Sequence, residues 1–228
     1  MQMQEYRARY DSLAVEGAWF DVPFRKEWVL KQIGRGRRVL DIGCLGGQFS
    51  QLMVAQNNEV WGVELNARAA KLAQKRGIRV KIADVEQGLP FEAGSFDVVH
   101  AGNILESLYD THQFFEECAR VLSPQGVLLF STTNLNSLEN RIRVATGGYL
   151  TMAGAFPEDH FGDHIRQFNL DKLRELCERS GFELEETFGV PVLQSQGRWI
   201  DLGLAALGKA FPEFSKLLIV RARKIGRA

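Results

Sequence analysis

The chain has little that would tie it to a secreted, membrane or nucleic-acid setting. Only three cysteines occur in 228 residues, Cys44, Cys118 and Cys177. They are too scattered for a disulfide framework or a metal-ligand spacing, so a reducing, cytoplasmic compartment is expected. No run approaches the roughly 18 apolar residues of a membrane span, so no stable membrane insertion is expected. The opening MQMQEYRARYDSL lacks the apolar segment of a signal peptide. Net charge is missing too, because 28 basic residues balance 28 acidic ones. Without a positive field there is no general attraction for nucleic acid, and none is expected as a partner. Four histidines offer no ligand set for a metal. His160 and His164 are four apart, but Gly162 between them argues against the helix that would align them, and no metal is expected.

What is present is a rhythm. Short apolar runs alternate with helical patterns five times between residues 37 and 133. The strands read as RVLDIG, EVWGVEL, IRVKIAD, FDVVHAG and GVLLFSTT. Several are continuously apolar, as in a sheet covered on both faces. Asn66 suits the start of NARAAKLAQKRG and Gly77 its end. THQFFEECARVLS reads as a helix stopped by Pro124 and Gly126. A further helix (170–182) and strand (FELEETFGV) follow, then a late strand SKLLIVRARK that suits an antiparallel finish. The fold class is therefore α/β, a Rossmann-like doubly wound sheet with helices on both faces. Residues 1–36 read as a helical lead-in. Residues 37–228 read as the main domain, with cap-like insertions at 134–169 and 191–214.

Ligands of such sheets bind beyond the carboxyl ends of the strands, where strand order reverses. The first strand ends there in DIGCLGG, an acid followed by a glycine turn. The dinucleotide fingerprint G-x-G-x-x-G fits Gly43, Gly46 and Gly47 poorly. Asp41 is also badly placed for a pyrophosphate on the next helix N-terminus, because like charges would meet. A cationic nucleoside removes the conflict, and S-adenosylmethionine, with an ammonium and a sulfonium, is one. Glu64 closes the second strand about 20 residues on, where an acid can accept from both ribose hydroxyls. Asp84 follows the third, where a carboxylate can accept from the adenine amino group and the Val85 amide can donate to the ring.

The segments VLDIGCLGGQFS, VWGVELNARAAKLA, VKIADVEQGLPF, GSFDVVHAGNILESL and ECARVLSPQGVLLFSTTN resemble the class I S-adenosylmethionine-dependent methyltransferases, in particular the broad small-molecule group often called type 11. The resemblance implies a seven-stranded sheet, mostly parallel, with the late strand antiparallel. It implies that Asp41, Gly43 and Gly47 form the methionine-side loop, with Cys44 and Gly46 inside it. Glu64, with Leu65 beside it, would hold the ribose, and Asp84 and Val85 would flank the adenine. Asn103 would approach the methionine or sulfonium region. Two departures stand out. Leu45 replaces the middle glycine of the loop, and Leu105-Glu106-Ser107-Leu108 lacks the histidine of the family's LEHL-like segment.

The function expected is methyl transfer from S-adenosylmethionine to a small-molecule acceptor, leaving S-adenosylhomocysteine. The chain is expected to act as a monomer or homodimer. Two alternatives are a methyltransferase-fold partner protein without activity and, less well matched, a nicotinamide-dependent dehydrogenase. A hydroxyl acceptor would gain from a general base, for which His164 and then His100 are candidates. His112 reads as a surface residue, and Cys118 and Cys177 as core.

Overall fold

A computed structural model describes residues 23–150, 164–190 and 206–225. Seven strands form one sheet: β1 (Arg38–Ile42), β2 (Glu59–Glu64), β3 (Arg79–Ile82), β4 (Phe96–Gly102), β5 (Leu122–Thr133), β6 (Phe182–Val190) and β7 (Leu217–Lys224). Their order is β3-β2-β1-β4-β5-β7-β6. The first five pair in parallel, and β7 runs antiparallel to both neighbours. The doubly wound sheet with an antiparallel finish is thus as the sequence predicts.

Helices α1 (Pro23–Ile33), α2 (Gln48–Ala55), α3 (Ala67–Lys75), α4 (Thr111–Val121), α5 (Leu138–Ala145) and α6 (Leu170–Arg179) accompany the sheet. Side-chain caps form at several of their starts, at Asn66 as expected. The Asn66 side chain accepts from the amides of Arg68 and Ala69, and the Asn169 side chain from that of Lys172. One boundary differs. The helix predicted to run to Ser123 ends at Val121, and the chain enters β5 at once. Leu122 pairs with Phe96, but regular pairing resumes only at Val127, so Pro124 sits in an irregular stretch where no ladder donor is needed.

Two apolar cores lie on the two faces of the sheet. One gathers Leu40, Val99, Phe115, Phe130 and Phe182; the Phe115 ring meets Phe130 and Phe182 edge-on. The other gathers Val39, Val98, Phe49, Met53, Val29 and Ile33. Each such side chain contributes about 1.5–3 kcal/mol on burial. Cys118 and Cys177 are fully buried, as expected.

The split between faces positions the site. Side chains alternate along a strand, so Asp41 shares the face of Val39. His100 is its register partner on β4 and shares that face. Both therefore meet α2. The lead-in is seen here only as α1, and of the two insertions residues 134–150, 164–169 and 206–214 are described. The expectations for His160 and most of the 191–214 insertion lie outside the described residues. Among the described residues no helix is long and apolar enough to cross a membrane.

Candidate functional site

Strand order reverses between β1 and β4, so their carboxyl ends open the crevice. The turn after β1 forms its floor. The Gly43 amide bonds the Val63 carbonyl at 2.8 Å, which ties the turn to β2. Gly43 and Gly47 have φ of 68° and 81°, and Leu45 has φ of 50°. A leucine thus adopts the left-handed backbone where the family has a glycine, at a cost of about 1–2 kcal/mol. Gly47 answers a second demand, because a Cβ there would lie 2.9 Å from the Ala73 Cα of α3. Gly62 leaves room for Cys44, whose sulfur would stand 2.6 Å from an added Cβ. Cys44 is buried, and burial pushes its thiol well above the ordinary range, so it is a packing group and not a nucleophile.

Glu64 binds this turn to the next. Its Oε2 accepts from the Leu45 amide at 2.9 Å, and its Oε1 from the Asn66 amide at 2.8 Å. The side chain is buried, and desolvation raises its pKa. The Leu65 amide is a third backbone donor to it, and a carboxylate with about four lone-pair sites can still receive another. Leu65 beside it is largely exposed. Asp84 lies two residues past the end of β3. It caps the short turn Val85–Gln87 by accepting from the Glu86 amide at 3.0 Å. The Ala83 amide bonds the Glu64 carbonyl, so the ends of β2 and β3 stand side by side.

Asp41 is not bare. His100 Nδ1 lies 2.7 Å from its Oδ1, and Ser50 Oγ donates to its Oδ2 at 2.6 Å. All three are buried. Phe49 of α2 lies against the His100 ring at 5.1 Å. A pocket at this point is lined by Asp41, Gly43, Cys44, Phe49, His100 and Gly102, among others. His100 therefore shares the pocket with Asp41 and is bound to it.

The other bank of the crevice holds residues that the sequence left without a role. Glu106 is wholly buried in the turn after β4 (Leu105–Ser107). Its Oε1 accepts from the Thr133 amide at 3.2 Å, while its Oε2 has no hydrogen-bond partner among the described residues. Burial pushes this carboxyl up to about 7, opposed in part by hydrogen bonds from backbone amides, including that of Thr133, and last by the Arg25 charge. Arg25 of α1 is itself buried, which draws its guanidinium down to about 10. The Glu106 carbonyl accepts from the amides of Ile165 and Arg166, and Arg166 reaches the carbonyls of Leu108 and Tyr109. His164 is half-buried at the head of this strap, which crosses the ends of β4 and β5. His112 is half-exposed near Glu116, away from the crevice. Arg25 does have a sequence signal. It stands four residues before Val29 and eight before Ile33, so a charge continues an apolar helical stripe.

The residues present suit a nucleoside with a cationic end. The buried carboxylate of Glu64 keeps a free lone pair beside a glycine cradle, and a second carboxylate lines the pocket. A phosphate would meet both negative groups.

Comparison with known proteins agrees with this geometry. A family model described as a methyltransferase domain matches residues 21–187. A Mycolicibacterium smegmatis protein named a probable S-adenosylmethionine-dependent methyltransferase is 35% identical over 185 residues, covering 78% of this chain and 64% of that protein. This chain thus spans just under two thirds of that relative's length. The ubiquinone biosynthesis O-methyltransferase of Aromatoleum aromaticum is 30% identical over 175 residues, 74% of each chain. A Thermotoga maritima structure, titled a SAM-dependent methyltransferase and possible histamine N-methyltransferase, superposes with a TM-score of 0.67 at 20% identity, over 94% of this chain and 98% of that one. That last likeness speaks for the fold alone. The chain belongs to the methyltransferase-domain family.

Proposed function

We propose that the protein transfers a methyl group from S-adenosylmethionine to a small-molecule acceptor. The observation that carries this is Glu64, a buried carboxylate with a lone pair to spare, tied to a glycine turn whose other acid is Asp41. Glu64 would receive a ribose hydroxyl, and Asp84 with the Val85 amide would border the adenine. The turn at Gly43, Cys44, Gly46 and Gly47 would cradle the amino-acid end, with Asp41 as counter-charge to its ammonium. His100 and Ser50 hold Asp41 in one orientation, so its field is set before the ligand arrives. When bound, S-adenosylmethionine supplies an electrophilic methyl group on a sulfonium that leaves as a thioether.

The chain's own contribution is alignment and exclusion of water. The strap that begins at His164 crosses the acceptor side. For a hydroxyl acceptor, His164 is our candidate to take the proton. His100 is the second candidate, and its bond to Asp41 favours a holding role. The O-methyltransferase named among the relatives favours an oxygen acceptor. The setting we infer is cytoplasmic, and the active unit a monomer or homodimer.

A second reading draws on Asp41 and Leu45. The acid is already satisfied by the chain's own side chains, and the loop carries a strained leucine, as a partner protein without activity would allow. Incubation with methyl-labelled S-adenosylmethionine and a small-molecule cell extract separates the two. Label in an acceptor fraction, lost in Glu64→Ala, is the expected result. Cofactor binding with no labelled acceptor in any extract would favour the second reading.

A further inference from the structure

Among the described residues, those other than glycine with a positive φ are Leu45, Asn57, Asn103 and Gln125. Asparagine visits this region readily, and Asn103, just after β4, does so at 54°. A leucine does not, yet Leu45 stands at 50° in the turn after β1. The Gly47 amide bonds the Cys44 carbonyl at 2.9 Å, so residues 44–47 form one β-turn. Leu45 is its first central residue and Gly46 its second. Gly46 is not among the glycines of positive φ. A positive φ at the first central position alone marks a type II′ turn, and glycine is the residue that suits that first position. Here the glycine stands one place late.

Two side chains hold the turn in this shape. Glu64 accepts from the Leu45 amide at 2.9 Å. Arg76, the residue that follows α3, donates from Nη1 to the Gly46 carbonyl. The first central residue is thus gripped at its amide and the second at its carbonyl. Gly46 is what admits the guanidinium, because a Cβ there would lie 3.0 Å from Arg76 Nη1 and 2.9 Å from Gln48 Oε1. Gly47 admits the helix that carries Arg76, through its close approach to Ala73. A guanidinium on a carbonyl makes a charge-assisted bond, stronger than a neutral one.

Resting on the methyltransferase reading, we propose that Arg76 is a positioning residue that locks the cofactor turn in a left-handed shape its own leucine resists. Arg76 lies 30 residues beyond Gly46 in the chain and half-buried against it. A left-handed leucine is disfavoured by about tenfold. Without Arg76 the turn relaxes toward a backbone that leucine prefers, and the cradle from Gly43 to Gly47 is no longer formed before the ligand arrives. The lock matters because residue 45 is a leucine. A glycine there would adopt the same backbone without steric penalty.

The test is a double-mutant cycle between Arg76 and Leu45, read by calorimetric titration with S-adenosylhomocysteine. Arg76→Met should weaken binding by about tenfold. Arg76→Lys keeps the charge without the fork and should fall between Arg76→Met and wild type. Leu45→Gly alone should bind at least as tightly as wild type. Adding Arg76→Met to Leu45→Gly should change binding by no more than about twofold. A residue that only ends α3 would lower the melting temperature alike in both backgrounds and leave the affinity of the folded protein unchanged. No loss in Arg76→Met, or the same loss with and without Leu45→Gly, would overturn the lock. If Arg76→Met does not fold, Arg76→Lys takes its place in the cycle. Amide hydrogen exchange at Gly47 in the ligand-free protein makes the same comparison without a cofactor. Arg76→Met should speed this exchange, and Leu45→Gly should abolish the difference; exchange indifferent to Arg76 would overturn the lock. The expected exchange in a wild-type protein that does not bind S-adenosylhomocysteine would keep the lock and overturn the methyltransferase reading beneath it.

Discussion

The two banks of the crevice are built differently. The bank at β1 and β2 is assembled mainly from one stretch of chain, residues 41–66, and its acids are satisfied by backbone amides and Ser50 within it, with His100 of β4 the partner from outside. The bank at β4 and β5 draws Arg25 from α1, Glu106 from a turn, Ser131 and Thr133 from β5 and His164 from a strap. The first bank is local and tightly satisfied. The second is non-local and leaves one carboxylate oxygen without a partner among the described residues. A nucleoside common to a whole family suits the first arrangement.

The sharpest way to break the first bank is at Glu64. Its removal in Glu64→Ala leaves the Leu45 and Asn66 amides without an acceptor, at about 1–3 kcal/mol each. A fall in melting temperature together with loss of S-adenosylhomocysteine binding is expected. Glu64→Gln should keep more of the stability than of the binding, and calorimetry on the two variants checks this.

The second bank is best probed by pH. The Glu106 carboxyl in the folded protein sits at about 7, above its ordinary value of 4.5. The folded state therefore holds a proton that the unfolded state has lost between these values. Stability is fullest below the lower value and falls as pH rises through the upper one, by about 3 kcal/mol in all. Glu106→Gln should remove this slope and melt higher than wild type at about pH 8, as a set of thermal melts would show. An unchanged slope would mean that another group sets it.

Gly47→Ala returns to the first bank. The left-handed backbone and the 2.9 Å approach to Ala73 should together cost about 1–3 kcal/mol, read as a lower denaturation midpoint. The smallest effect expected is at Ser50→Ala, which takes one donor from Asp41 and should cost about 1–2 kcal/mol. Chemical denaturation checks it against the melting curve of Gly47→Ala.

This contrast also explains what the sequence could tell. Strand alternation and the acid–glycine turn are periodic, local signals, so the sheet, its order of reversal and the positions of Asp41 and Glu64 are readable from the residues. The partners of Asp41 are not. His100 is 59 residues away and meets it only because the two strands pair in register. Arg25 shows as an oddity in an apolar stripe, but its destination depends on how α1 crosses the sheet. Glu106 stands in a motif whose departure at Ser107 is visible, while its meeting with the Thr133 amide and with a strap 59 residues on depends on the tertiary fold. The end of α4 at Val121 is misread because Pro124 looks like the stop. The extended pairing of Leu122 with Phe96 ends the helix earlier.

The most direct test is a crystal structure of the protein grown with S-adenosylhomocysteine. A ribose hydroxyl should lie within hydrogen-bond distance of Glu64, with the thioether between the Gly43 turn and the end of β4. A ligand seated elsewhere, with His100 and Ser50 filling the space beside Asp41 unchanged, would contradict it.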